Sequence, residues 1–527
     1  MSDEDELQQR LISGLLAARA YPHPAPAVEH IETHISHILL AGGHAYKIKK
    51  PLDLGFLDYR GLHTRRHYCE QELRLNRRTA PDIYLGIVGI GGAPDAPLIV
   101  DPAAEECLEY AVHMRRFEAD ALLSTRLQSG GLDDALIDVL AEQIADFHQS
   151  AARVSLDAPW GLPQQVEQPV LANFEALAGQ CDAAQLARLR AWVEQSAHKL
   201  LAQFMQRRHD GRVRECHGDL HLGNIVLWQG RPCLFDGIEF NQALRWIDVI
   251  SDIAFLMMDL EERGRGDGAW RLINHYLEFT GDYAGLALLD HYRVYRAMVR
   301  AKVAAIRLQQ ADLEADGRQQ ALAEMTGYLE LAESYTRPPR PLLLLTSGLS
   351  GSGKTWVSQR LLQSLGLIRV RSDVERKRLY GLSPLQRSES AVGAGIYTPE
   401  AGRRTYQRLQ EVAAEVIAAG HGVIVDATFL GRKGRSEFLA LAQRLGVPAL
   451  ILRCEADRAV LRARVLERES QAGDASEAGL AVLQGQLDHW ESPDEGEQDK
   501  TLVIDTGGPF DLDVLLSEVR QRLGLPV

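Results

Sequence analysis

The stretch Gly348-Leu-Ser-Gly-Ser-Gly-Lys-Thr355 satisfies the pattern G-x-x-x-x-G-K-[ST] at every fixed position, and nothing else in the chain constrains its folding so tightly. The flanks matter as much as the letters. Before the loop, LLLLTS at 342–347 reads as a fully buried strand; after it, a helix is expected from Lys354 onward. Strand, glycine-rich loop and helix in that order let the backbone N–H groups of Gly348, Ser350, Gly351, Ser352 and Gly353 gather around phosphate oxygens, with the helix N-terminus adding a favourable dipole. Lys354 is then expected to reach the β- and γ-phosphates of a nucleotide, and the Thr355 hydroxyl to ligate Mg²⁺. A glycine-rich turn without a ligand needs neither flanking element.

Downstream of the loop, four more strands follow: LIRVRS, GVIVD, LILRC and LVIDT. The expected fold of residues 342–527 is therefore α/β, a parallel sheet of five strands with helices on both faces. Asp373 stands just after the second strand, with Arg376, Lys377 and Arg378 close behind. Asp426 ends the third, where an acid can hold Mg²⁺ through water, and Arg462, Arg464 and Arg468 crowd the segment after the fourth. This half resembles the P-loop small-molecule kinases, the group that includes gluconate kinase, the kinase part of polynucleotide kinase and zeta-type toxins. The resemblance implies that Asp373 orients or deprotonates an acceptor hydroxyl and that Arg376 binds the substrate. It further implies that Arg464 and Arg468 close over the transferring phosphoryl group, whose equatorial oxygens call for cationic charge. The plain alternative for the arginines is a solvated helix face paired with Glu467 and Glu469.

A boundary is expected at 336–341, where Pro338, Pro339 and Pro341 stop the preceding helical stretch and stiffen the link. Ahead of it, residues 1–30 read as an N-terminal helical segment, 31–118 as a small sheet lobe and 119–335 as a helical lobe interrupted by a hairpin at 225–236. Within the helical lobe lies Cys216-His-Gly-Asp-Leu-His-Leu-Gly-Asn224. Asp219 and Asn224 stand at D-x-x-x-x-N spacing, the arrangement in which the Asp takes a hydroxyl proton and the Asn ligates Mg²⁺. Asp236, across the hairpin, is placed to be the second metal-binding acid.

HGDLHLGN resembles the catalytic loop of the aminoglycoside and choline phosphotransferases, which implies a protein-kinase-like fold. On that resemblance His217, His221 and either Asp248 or Asp252 are supports, and Lys47 of AYKIKK holds the α/β-phosphates with Glu72, favoured over Glu70, as its partner. Lys49 points the same way on an alternating strand, so the two lysines are not separated by pattern alone. Ala41-Gly42-Gly43 is a candidate phosphate-covering turn, and Glu109 to Met114 a candidate hinge for the purine.

Composition excludes other classes. With 58 basic and 72 acidic side chains the net charge is −14, which opposes nonspecific binding to nucleic acid or anionic membrane. Residues 341–527 carry 23 basic and 24 acidic groups, so almost all the excess precedes them. The longest apolar runs, such as IAFLMM at 253–258, fall far short of a membrane span. The acidic start MSDEDE is not a targeting signal, and the six cysteines lack any C-x-x-C spacing, so a cytoplasmic protein is expected.

The whole chain resembles a bacterial two-part protein, an aminoglycoside-phosphotransferase-like kinase joined to a P-loop kinase. The expected function is a bifunctional phosphotransferase using ATP and Mg²⁺ on small-molecule hydroxyl acceptors. Two other readings stand beside it: a nucleotide-driven regulatory ATPase with a kinase-like sensor half, and a P-loop half acting on nucleic-acid 5′ hydroxyls. Basic clusters at 369–378, 403–408 and 432–435 permit the last, while 6% aromatics and a near-neutral domain count against it.

Overall fold

The computed structural model describes residues 3–525, apart from 54, 56, 311–312, 339, 392 and 471–474. Pro339 of the proline-rich link thus lies outside the described residues; the helix before the link ends at Tyr335. The chain forms two compact units. One comprises residues 1–139, 146–168 and 204–256; the other comprises 140–145, 169–203 and 257–527.

The first unit is built on a six-stranded antiparallel sheet. Its strands are β1 (Val28–Glu32), β2 (Ser36–Ala41), β3 (His44–Lys49), β4 (Tyr84–Ala93), β5 (Ala96–Val100) and β6 (Glu109–Arg115), in the order β1-β2-β3-β6-β4-β5. Alternation along β3 decides what each face does. Tyr46 and Ile48 pack with Leu11, Leu15 and Leu39 under the N-terminal helix Asp3–Leu15. Ala45 packs on the other side with Cys69 of the helix Leu62–Asn76, and Lys47 and Lys49 share its phase. The period of two therefore aims both lysines at the helix that carries Glu72.

Two short ladders follow. β7 (Val213–Glu215) pairs with β10 (Trp246–Asp248), and β8 (Ile225–Trp228) forms a hairpin with β9 (Arg231–Leu234). The second unit holds a five-stranded parallel sheet: β11 (Leu343–Ser347), β12 (Ile368–Arg371), β13 (Val423–Asp426), β14 (Ala449–Glu455) and β15 (Thr501–Asp505), in the order β12-β13-β11-β14-β15. Leu344, Ile424, Leu450 and Leu452 bury one face beneath Leu361 and Val519, of the helices Lys354–Leu365 and Leu512–Leu523. The helix Pro399–Ala418 packs on β12 and β13, and the helix Arg432–Leu445 packs in turn against it.

An edge strand exposes unpaired backbone groups unless something covers it. Here β12 is covered by the helix Gly266–Thr280. Asn274 Nδ2 donates to the Leu367 carbonyl at 2.9 Å, and its Oδ1 accepts from the Arg369 N–H at 2.6 Å. Glu278, one turn on, accepts from Arg369 at 2.8 Å and Arg371 at 3.3 Å. Among the described residues, no helix is long and apolar enough to cross a membrane.

Candidate active sites

In the first unit the loop after β7 is fixed from below. Asp252, in the first turn of the helix Val249–Glu262, accepts the backbone N–H groups of His217 at 3.0 Å and Gly218 at 2.9 Å. His148 Nε2 lies 3.2 Å from the same carboxylate. Gly218 has φ of 86°, and a Cβ there would sit 2.7 Å from the Leu244 carbonyl, so both conformation and space demand glycine. His217 Nε2 meets the Phe235 carbonyl at 2.8 Å, and its Nδ1 accepts the Asp219 N–H at 3.3 Å. Burial pushes the His217 pKa down, which suits a neutral ring with its proton on Nε2. Asp248 faces elsewhere, gripped by Arg207 at 2.7 and 2.8 Å. Of the two acids considered as supports, Asp252 is the one that touches the loop.

Asn224 Nδ2 donates to both the carbonyl and the Oδ2 of Asp219, each at 3.0 Å. His221 Nε2 lies 3.4 Å from the same carboxylate oxygen. The hairpin returns the chain so that the Phe235 N–H donates to the Asn224 carbonyl at 3.0 Å, which brings Asp236 beside Asn224. Asp236 adopts φ of 61°, a left-handed conformation that a non-glycine residue keeps only where its surroundings impose it. Here the imposing contacts are the Tyr84 hydroxyl, which accepts the Asp236 N–H at 3.1 Å, and Asn76 Oδ1, which accepts the Gly237 N–H at 2.7 Å.

The two lysines part company at their tips. Lys47 Nζ is 2.9 Å from Glu72 and also contacts Asp236. Lys49 Nζ is 2.7 Å from Glu72 and contacts Glu239, whose other partner is the Tyr59 hydroxyl at 2.5 Å. Burial alone would raise the Glu72 pKa, but the two ammonium groups override it and hold the carboxyl at about 2. Lys47 therefore joins the Asp219, Asn224 and Asp236 group, whereas Lys49 is sealed in a buried knot with Glu239 and Tyr59. Glu70 is exposed and pairs with Arg66 instead. The expectation that Glu109 to Met114 offers backbone to a purine is corrected. Ala111 to Met114 lie between β3 and β4, which take up their backbone groups, while Glu109 and Tyr110 pair with β4 and the Tyr110 N–H donates to the Glu109 carboxylate at 3.0 Å.

In the second unit β11 leads into the glycine-rich loop and the helix Lys354–Leu365. Gly351 has φ of 83°, and a Cβ there would meet the Leu461 carbonyl at 2.7 Å. Lys354 Nζ crosses the loop to donate to the Leu349 carbonyl at 2.8 Å, and burial draws its pKa down. Asp426, at the end of β13, accepts from Thr346 at 3.2 Å and from Ser358 at 3.3 Å. Asp373 opens the helix Ser372–Leu379 and pairs with Arg376 at 3.0 Å, whose guanidinium lies over the Tyr397 ring. Arg464 donates to the Gly351 carbonyl at 3.2 Å and to Thr506, while Arg468 reaches the Ala478 carbonyl at 2.5 Å. One cavity of about 590 Å³ brings together Ser350, Gly351, Gly353, Lys354, Thr355, Asp373, Arg376, Asp426, Arg464 and Arg468. Gly348 and Ser352 line a second cavity of about 710 Å³ with Trp490, Asp505 and Gly507. Arg462 is exposed and lines neither cavity.

Both sites suit a nucleotide with a hard cation. Ser352 Oγ is buried in the cradle without a hydrogen-bond partner, and the donors at hand (Asn224 and Asp236 in one site, Thr355 and Asp426 in the other) are all oxygen. Sequence reasoning missed Glu239 and Tyr84, which act through partners roughly 150 or more positions away in the chain. It also missed Gln486, whose Oε1 accepts the Ser350 N–H at 2.7 Å; no motif announces it.

The family model described as an AAA domain matches residues 343–493. Among solved structures, the chain is similar to a gluconokinase from Sinorhizobium meliloti 1021, at 21% identity over 35% of this chain and 93% of that one, with a TM-score of 0.25. It is also similar to a choline/ethanolamine kinase family protein from Mesorhizobium loti, at 15% identity over 64% and 95%, with a TM-score of 0.37. Its likeness to "Uncharacterized protein Rv2004c" of Mycobacterium tuberculosis (strain ATCC 25618 / H37Rv) is of another order. The two are 30% identical over 498 residues, 92% of this chain and 94% of the other, and "Uncharacterized protein Mb2027c" of Mycobacterium bovis matches equally. Identity at that level across both halves, the antiparallel-sheet unit and the P-loop sheet together, means that the chain belongs to the same family as these mycobacterial proteins.

Proposed function

We propose that the protein is a cytoplasmic, bifunctional phosphotransferase, with each half moving the γ-phosphoryl group of ATP to a hydroxyl of a small-molecule acceptor. The observation that carries this reading is a division of labour found twice. Each half sets one carboxylate, Asp219 or Asp373, beside a separate oxygen-ligand set and a lysine, Lys47 buried and Lys354 partly buried. ATP with Mg²⁺ supplies the phosphoryl group and neutralises charge on its oxygens. In the first half Asn224 and Asp236 hold the ion, Lys47 braced by Glu72 holds phosphate, and Asp219 accepts the proton of the acceptor hydroxyl. In the second, the loop N–H groups and Lys354 cradle phosphate and Thr355 and Asp426 hold the ion. There Asp373 accepts the proton, Arg376 orients the acceptor, and Arg464 and Arg468 gather around the transferred group. The cavity against Trp490 and Gly507 has room for the base. All six cysteines are free thiols, in keeping with a reducing compartment.

The test is incubation of γ-labelled ATP and Mg²⁺ with a desalted metabolite extract, using wild type, Asp219→Ala and Lys354→Ala. A labelled metabolite that disappears in one variant assigns that half as a kinase and supplies the compound to identify. Label released only as free phosphate, in extract and buffer alike, would replace this reading with the nucleotide-driven regulator.

A further inference from the structure

The hairpin of β1 and β2 carries a group of side chains that neither phosphotransfer site uses. His30 and Glu32 lie two residues apart on β1 and so share a face. Glu32 is directly opposite His37 on β2, which brings the second imidazole to that same face. His30 Nε2 and His37 Nδ1 are 3.0 Å apart, and the nearest ligand atoms of all three residues lie within 4.8 Å of one another. The turn between the strands is itself closed. The Thr33 N–H donates to the Ser36 carbonyl at 2.9 Å, and Thr33 Oγ1 accepts the Ser36 N–H at 3.0 Å. The register that gathers the three side chains is thereby fixed before any ion arrives.

We propose that His30, Glu32 and His37 form a binding site for a borderline divalent transition-metal ion, with Zn²⁺ as its representative. Two imidazoles and one carboxylate are a zinc donor set, at metal–ligand distances of about 2.0–2.2 Å. Tetrahedral bonds of that length put neighbouring ligand atoms about 3.3 Å apart, so the two nitrogens need to separate only slightly and the carboxylate to rotate inward. The histidines bind as neutral rings. His30 offers Nε2 with its proton on Nδ1, and His37 offers Nδ1 with its proton on Nε2, so the present hydrogen bond gives way to two metal bonds without net proton release. Glu32 now contacts Lys50 at 2.6 Å, an ion pair that the metal would displace; its carboxylate is more than half exposed, so the exchange is open to solvent. Nitrogen donors and a three-residue set leave Mg²⁺ disfavoured here, which separates this site from those that serve the nucleotide. The fourth position is open to water.

The full-length protein should be titrated with Co²⁺ in the presence of excess Mg²⁺, following visible d–d absorption, and the signal then displaced with Zn²⁺. Wild type, His30→Ala, His37→Ala and Cys216→Ser should be compared, with far-UV circular dichroism as the check on folding. The expected result is a saturable tetrahedral signal in wild type and Cys216→Ser, weakened by about tenfold or more in both histidine variants, since losing a ligand costs no less than losing an outer partner. Equal binding by wild type and both histidine variants would overturn the proposal. So would a signal lost only in Cys216→Ser, which would assign the ion to the buried group of His148, Cys216 and Asp252.

Discussion

Two lysines on one strand show how much a single residue's surroundings decide. Lys47 and Lys49 have the same chemistry and direction, and both reach Glu72, yet Lys47 also touches Asp236 and Lys49 touches Glu239. Under the proposed reading Lys47→Ala removes a phosphate contact. It should therefore abolish measurable first-half transfer and weaken nucleotide binding by titration calorimetry. Lys49→Ala should act on the fold instead. It leaves Glu239 buried with only a hydroxyl partner, and breaking such a pair from one side costs about 3–5 kcal/mol, read as a lower denaturant midpoint. Asp219→Ala should lower first-half transfer by about 10²–10⁴-fold with nucleotide affinity retained, because a general base acts on the acceptor proton and not on binding. The spacing of Asp219, Asn224 and Asp236 was legible in the sequence because one loop and one hairpin hold all three. The separation of Lys47 from Lys49 was not, because it depends on Glu239, some 190 positions away. No pattern of period two can distinguish residues i and i+2.

At the scale of elements, the inner strands β11 and β13 were legible because each is an apolar run, buried on both faces and ended by a polar residue, Ser347 or Asp426. What pattern could not supply was the partner of the edge. Glu278 belongs to a helix some 90 residues before β12, and its carboxylate is nearly fully buried between Arg369 and Arg371. Burial by itself would raise its pKa, but the two guanidinium groups override that and hold it at about 2, against an ordinary value of 4.5. A carboxyl depressed on folding stabilises the native state at every pH above its unfolded value and loses that contribution as pH falls through its folded value. The contact should therefore be fully present above pH 4.5 and fade toward pH 2, where Glu278→Gln should flatten the acid limb of a stability curve measured by urea titration. At neutral pH Glu278→Ala should cost about 3–5 kcal/mol, since it removes the carboxylate that two largely buried arginines share. An acid limb of unchanged steepness in Glu278→Gln would mean that other carboxylates carry the pH dependence.

At the scale of the whole molecule, the compact body around the P-loop sheet extends well upstream of the proline-rich link, taking in residues 169–203 and 257–335. Three contacts across the link show why. Asn274 completes the hydrogen bonding of the β12 edge, Glu278 neutralises Arg369 and Arg371, and Arg378 donates to the Glu278 carbonyl at 2.7 Å. A chain containing only residues 342–527 keeps the phosphate cradle but loses all three. It would present a bare strand edge beside two arginines that have lost the Glu278 carboxylate, and a bare edge promotes edge-to-edge association. Arg371 also lines the cavity beside Asp373, so the loss would reach the proposed acceptor side of the site. The shortened chain should therefore unfold at lower temperature than the full protein and self-associate at concentrations where the full protein does not, by calorimetry and light scattering. The converse experiment separates lost contacts from lost covalent connection. With a protease site placed between residues 336 and 341, the cut protein should still elute as one species and retain its melting temperature, because the contacts and not the link hold the pieces. Pieces that part on cutting would show that the buried Asn274 and Glu278 contacts are too weak to bind them, and that the proline-rich link is what keeps β12 covered.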